Sequence, residues 1–412
     1  MSDVFPEEII HKILLKLPAK SLIKYTLVCK SWHSLIKSST FIQSHLRTTI
    51  DSSDQNDSHL LLLSASSNSG DDAWQWHQRH WLHWDSPEFG EYSMLSTPVL
   101  SSKKKPVSEM HVAGTSNGLV CLEAGDGHFS FDRSPTLIWN PTIRKLVRLP
   151  KPPVCFRYTK CEKFSINAFG YDAHSNDYKI LRIVTLIDDH SDLSRFATKV
   201  HVYSLARASW KRFSSSVVPV DLQGVCGSER PVFVNGNFHT LENRLSVYYN
   251  DNYEEHHKCG GELFISTFNL ETEEFGEIKR PEALGEGGCN MSRYGDSLAL
   301  IKHHNYSCRD PVNRGCDIWA MKQYGVAESW TYLFNLHVVQ TSIYGFKECG
   351  EVVLMESTER GRSRMVSFDP KTNQFKVFGT EGHFYRFMDS FVESLVLLDH
   401  AKAVSYRVAT TK

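Results

Sequence analysis

No CxxC pair occurs in this 412-residue chain; its ten cysteines, at 29, 121, 155, 161, 226, 259, 289, 308, 316 and 349, stand singly. That spacing argues against structural zinc and a disulfide framework, and it suits cysteines that behave as small buried hydrophobes. Neither sign of charge predominates, with 46 Lys plus Arg against 47 Asp plus Glu. A net charge of −1 gives no support to a globally basic nucleic-acid binder or an acidic solvating chain. Long apolar runs are also missing. A stretch such as Leu60 to Leu63 is far below the roughly 20 residues that span a bilayer. The opening MSDVFPEEII carries acidic residues where a secretory signal would need basic ones. The expectation is a soluble protein of the cytoplasm and/or nucleus that binds neither membrane nor nucleic acid. What is present is core material, 41% hydrophobic and 12% aromatic. The length fits two to four domains, or one small domain attached to a large one.

Residues up to about 46 read as helix, and little of the rest does. Pro6 suits a helix start, because its missing N–H has no helical partner there. Glu7 and Glu8 then put negative charge at the positive end of the macrodipole. Ile9, Ile10, Ile13, Leu14 and Leu17 form a broad apolar stripe at helical period, and Pro18 stops it. A second short helix carries Leu22, Ile23 and Leu27. A third carries Val28, Trp32, Leu35 and Ile36, and Phe41, Ile42 and Leu46 continue the pattern more weakly. Three short helices are a poor basis for independent stability, so the unit reads as an interaction module. A recognition helix for DNA needs polar residues facing base edges; the third helix spends its positions on apolar ones.

The segment DVFPEEIIHKILLKLPAKSLIKYTLVCKSWHSLIKSSTF resembles an F-box. The matching pieces are Pro6-Glu7-Glu8, Ile13-Leu14, Leu17-Pro18, Lys20-Ser21-Leu22 and Val28-Cys29-Lys30-Ser31-Trp32, closed by Leu35-Ile36 and Phe41. Phe5 stands where that family usually has Leu. The resemblance implies docking onto a Skp1-type adaptor, and through it onto a cullin-RING scaffold. The residues it places against the adaptor are Phe5, Pro6, Ile10, Ile13, Leu14, Leu17, Pro18, Leu22, Val28, Cys29 and Trp32. Up to residue 50, seven basic residues stand against three acidic ones, an excess that favours an acidic partner.

From about residue 110 the chain changes to short runs rich in Val, Ile, Phe, Tyr and Trp, punctuated by Gly, Asn, Asp and Pro. WNPTIRKLVRL from Trp139, YSLARASWKRF from Tyr203, FNLETEEFGEI from Phe268 and FDPKTNQFKVF from Phe368 share one layout. Each begins with an aromatic, turns through polar residues, and has apolar residues at +7 and +10. A fifth copy starts at Trp319, with Trp330 and Leu333 at +11 and +14, as if four residues were inserted in its turn. The anchors lie 64, 65, 51 and 49 residues apart, a spacing suited to an irregular propeller. SNGLVCL, LIWNPTIRKLVRLP, AFGYDAHSNDYKILRI, VHVYSLARASWKRF, PVFVNGNFHTL, DIWAMKQYGVAESWTYLF and DPKTNQFKVFG are similar to landmarks of the kelch-related domain that follows the F-box in many plant proteins. FVESLVLL is similar to its final strand. The sequence departs from that pattern at His239-Thr240 and through the polar stretch Ser246 to Gly261.

The expected fold is therefore a small all-α F-box of three short helices followed by an all-β kelch-like β-propeller of about six irregular blades. The expected boundaries are 1–48 for the F-box, 49–110 for a linker with possible first propeller strands, and 111–408 for the propeller.

Catalytic and metal patterns are weak. Gly114-Thr115-Ser116-Asn117-Gly118 matches GxSxG, yet Leu119 to Leu122 continue it as a strand, where a nucleophile elbow needs a helix. His77, His80 and His83 lie among tryptophans in WQWHQRHWLHW, and the expectation is that these aromatics pack the edge of the first blade. His256-His257 with Cys259, His303-His304 with Cys308, and Gly285, Gly287 and Gly288 fit loops better than metal or phosphate sites. No catalytic residue, metal or cofactor is expected. The resemblances imply a substrate-recognition subunit of an SCF-type (Skp1-cullin-F-box) E3 ubiquitin ligase, with propeller loops holding an unidentified target protein. Alternatives are a non-degradative F-box scaffold and a propeller enzyme.

Overall fold

The computed structural model describes residues 6–56, 59–68, 76–98, 109–125, 135–153, 162–187, 197–214, 231–243, 246–249, 255–258, 263–285, 289–304, 315–337, 341–357, 363–378 and 384–406. Helix α1 (Glu7–Leu15) starts where the Pro6 carbonyl accepts from the Ile9 and Ile10 amides. It stops at Lys16, before Pro18 is reached. Pro18 instead opens α2 (Ala19–Tyr25), its carbonyl accepting from Ser21 and Leu22. Cys29 opens α3 (Lys30–Ile36), with the Trp32 amide donating to its sulfur. A fourth helix, α4 (Ser39–Asn56), takes up the weak apolar pattern around Phe41 and runs on through Asp51-Ser52-Ser53. Within it the hydroxyls of Thr48, Thr49, Ser52 and Ser53 turn back and donate to carbonyls four residues earlier, so they are satisfied inside the helix.

Among the described residues six antiparallel sheets of four or five strands follow, as expected for a six-bladed propeller; a separate hairpin pairs Ser246–Tyr249 with Glu255–Lys258. The chain divides into two compact bodies, one of residues 1–126, 134–149 and 384–412, the other of 127–133 and 150–383.

The first body holds the helices and two blades. In blade I the strand Leu60–Asn68 lies between Trp76–Trp84 and the C-terminal strand Phe384–Phe391, with Glu91–Leu95 at the edge. Blade II runs Glu109–Ser116, Leu119–Gly125, Thr136–Asn140, Lys145–Arg148, and adds Val404–Ser405 as a fifth strand. Leu62, Leu82, Val120, Leu122, Leu137 and Trp139 form the core between these two sheets. FVESLVLL is only partly strand: the ladder ends at Phe391, and the remainder turns away under the helices.

The second body holds four blades. They are Glu162–Asp172 to Ser209–Arg212, Val232–Val234 to Phe275–Ile278, Cys289–Tyr294 to Trp330–Leu336, and Thr341–Phe346 to Gln374–Phe378. The aromatic anchors read from sequence sit opposite their +7 partners: Trp139 faces Leu146, Tyr203 faces Trp210, Phe268 faces Phe275, and Phe368 faces Phe375. In the fifth copy the insertion is larger than the four residues read from sequence. Trp319 faces Tyr332, and Trp330 faces Met321 across a turn containing the 3-10 helix Ala327–Ser329 and a bulge beside Trp319.

Candidate protein-docking surface

Which apolar side chains of the helical unit remain available follows from what their own body covers. Leu14, Ala19, Leu22, Ile36, Phe41 and Ile42 are buried in one cluster with Ile143 of blade II and Leu395 of the C-terminal segment. Val396 and Leu398 pack against the same cluster. The wide stripe on α1 is thus divided. Its Leu14 side is sealed, whereas Ile9 and Ile13, one turn apart, are 44% and 51% exposed. The α2–α3 connection leaves Leu27 85% and Val28 60% exposed. Single exposed apolar side chains are ordinary on a protein surface; two neighbouring pairs of them in this short helical unit make it the candidate docking surface.

Among the residues that the sequence places against an adaptor, Pro6, Ile13, Pro18, Val28 and Cys29 are exposed. Ile10, Leu17 and Trp32 are half-buried, the Trp32 ring edge-on to Tyr25. Leu14 and Leu22 lie in the interior. Phe5 is outside the described residues. Ile9 and Leu27 were legible as part of helical stripes; nothing local told that they stay outside while Leu14 does not, because the covering segment lies at the other end of the chain.

Lys12, Lys16, Lys24 and Lys30 are exposed on the same helices. Lys20 is engaged instead, 2.7 Å from Glu393 and over the ring of Tyr92. Burial and the neighbouring Glu393 carboxylate raise the Tyr92 phenol, against the pull of Lys20. His45 lies buried beneath Phe41, and its Nε2 donates to the Leu17 carbonyl. Burial lowers its pKa, so the ring is neutral at pH 7. A neutral hydrogen bond thus ties α4 to the turn after α1 inside the apolar cluster.

The weak chemical patterns resolve differently. GxSxG is a strand-to-strand hairpin, with Asn117 and Gly118 at φ 50° and 79°. His80 is buried against Trp139 with neither ring nitrogen hydrogen-bonded, and burial depresses its pKa to about 4. His83 stacks on Phe89 and shares a hydrogen bond with its carbonyl. His304 pairs with Asp317 at 2.9 Å, and His303 with the Asn290 amide oxygen. Cys259, Cys308, Gly287 and Gly288 lie outside the described residues, as do the side chains of His77, His256 and His257. Among the described residues no three His, Cys, Asp or Glu side chains gather as metal ligands would.

The sequence pattern of the F-box domain matches residues 3–44, and that of the F-box associated beta propeller domain matches residues 71–401. F-box protein CPR1 of Arabidopsis thaliana is 27% identical over 346 residues, covering 80% of this chain and 72% of that protein. The Arabidopsis F-box/kelch-repeat protein At3g23880 is 26% identical, covering 80% and 79%. F-box protein At3g07870, also of Arabidopsis thaliana, is 26% identical over 402 residues, covering 91% and 87%.

Proposed function

The chain belongs to the F-box proteins that carry an F-box associated β-propeller domain, and we propose that it is the substrate-recognition subunit of an SCF (Skp1-cullin-F-box) E3 ubiquitin ligase. One observation supports the docking half of this reading above others. The F-box helices seal Leu14, Leu22 and Ile36 inside their own body, yet keep Ile9, Ile13, Leu27 and Val28 in solvent. These four, with Pro6, Pro18 and Cys29 beside them in sequence, are the face offered to a Skp1-type adaptor. The exposed lysines steer encounter with an acidic partner. The adaptor joins the chain to a cullin-RING scaffold, and the propeller loops hold a target protein in the cytoplasm and/or nucleus.

No bond need be made or broken by this chain in that role. It raises the concentration of a target lysine near a charged conjugating enzyme carried elsewhere on the scaffold. Ile13→Glu with Val28→Glu tests the reading in the full-length protein. Both side chains are already in water, so thermal melting should hold while capture by the adaptor falls by tenfold or more. Undiminished capture by the double variant would refute this face. Ubiquitin transfer to a bound target, measured in the reconstituted assembly, separates a ligase subunit from a scaffold that only binds.

A further inference from the structure

The last described residues of the chain do several things at once inside the first body. Beyond the blade I strand Phe384–Phe391, Leu395 enters the helical core and is fully buried there, with Val396 and Leu398 packed beside it. Glu393 meets Lys20 of α2 at 2.7 Å. From below, the same segment is held by blade II. Asn140 Nδ2 donates to the Ser394 carbonyl at 3.0 Å and to the Val396 carbonyl at 2.8 Å. The Val392 carbonyl and Ser394 crowd Gly118 so closely that a Cβ there would sit 2.4 Å from the carbonyl oxygen. Leu397 is forced to φ 78°, a backbone conformation that a leucine rarely adopts. The chain then adds Val404–Ser405 to the edge of blade II and places the Tyr406 hydroxyl between Trp139 and Ser96.

Helices α1 to α3 are seven to nine residues long, too short to persist without tertiary cover. Their cover includes Leu395, which is joined to the chain more than 300 residues after them. We infer that residues 392–398 are the seat of the F-box, making its fold, and hence adaptor docking, conditional on a finished C-terminal end. A chain that stops early keeps its adaptor-binding sequence but lacks the surface that orders it, so an incomplete receptor is not recruited. The adaptor arm of this inference rests on the proposed function; the folding arm does not.

Hydrogen exchange of the full-length protein tests it. Leu395→Ala removes apolar area from the seat without altering any exposed helical residue, and Leu395→Asp does so more severely. If the Asp variant does not fold, the Ala variant carries the test. Amides of α1 to α4 should exchange at least tenfold faster than in the wild type, while the strands Asp177–Ile187 and Ala197–Ser204 of the second body exchange as before. Unchanged helical exchange would overturn the inference, and so would equal acceleration everywhere, because the segment would then be general core. Adaptor capture is scored separately. Failure of the wild-type chain to capture it refutes the ligase reading, while the exchange pattern alone decides whether the seat exists.

Discussion

Four hairpins place a non-glycine residue in the left-handed region at the same step after the aromatic anchor: Arg144, Ala208, Glu273 and Asn373, with φ between 51° and 58°. The turn is held by the residue after the anchor. Asn140, Asn269 and Asp369 accept backbone amides two or three residues on, and Ser204 accepts from Arg207. An L-residue in this conformation costs about 1 kcal/mol or more, and glycine relieves it against a smaller entropic loss. Ala208→Gly should therefore stabilise the protein by about 0.5 kcal/mol. A lowered urea midpoint for this variant would contradict the assignment of strain. His80 makes the opposite kind of statement. Its folded pKa of about 4 lies below the ordinary 6.5, so the unfolded chain binds the proton first as pH falls. The stability it contributes is complete above about pH 6.5 and drains away toward pH 4, by about 2 kcal/mol at pH 5. His80→Leu should leave pH 7 stability unchanged or raised by about 1 kcal/mol, since two unpaired buried nitrogens disappear. Parallel urea titrations at pH 7 and pH 5 check both halves, and an undiminished acid loss in the variant would sink the attribution.

At the scale of elements, neighbouring blades join through apolar clusters, and one junction adds a buried charge network. Lys179 is almost wholly buried in the blade begun by Glu162–Asp172, where it meets Asp172 at 2.9 Å. It also reaches the Leu270 carbonyl and Glu273 of the next blade, and Lys211 closes on the same Glu273. Removing the ammonium takes the cation from the buried Asp172 carboxylate and leaves Glu273 to Lys211 alone, so Lys179→Met should cost about 3–5 kcal/mol, far more than an exposed pair would. A loss under about 1 kcal/mol in denaturant titration would show that the network relaxes freely. This element was hidden in the sequence, whereas the hairpins were legible. Aromatic anchors and their +7 partners lie close along the chain, so a repeated spacing betrays them. A lysine that bridges residues 172 and 273 leaves no local mark. The fifth hairpin was misjudged for a related reason: its bulge and short 3-10 turn absorb residues without altering the pattern of residue types. The proposed docking face was half legible. Helical period marked a broad stripe from Ile9 to Leu17, but which flank stays wet depends on Leu395 and Ile143, and no local pattern announces them.

Across the whole chain, the first body is assembled from its two ends. The strand Phe384–Phe391 pairs with Leu60–Asn68, and the Tyr406 hydroxyl accepts from the buried Trp139 indole while donating to the Ser96 carbonyl. Such contacts form only after nearly the entire sequence has been gathered, which makes them slow to form and late in folding. An interaction absent from the folding transition state acts on unfolding instead. Tyr406→Phe keeps the ring against Trp139 but removes the one oxygen that satisfies both partners, leaving a fully buried indole N–H without its acceptor. The expected cost is about 1–3 kcal/mol, the penalty for an unsatisfied buried donor. It should appear as an unfolding rate raised by tenfold or so in urea, with the refolding rate little changed. Slower refolding with unaltered unfolding would mean instead that the C-terminal end docks early. The helices would then be seated from the first stages of folding.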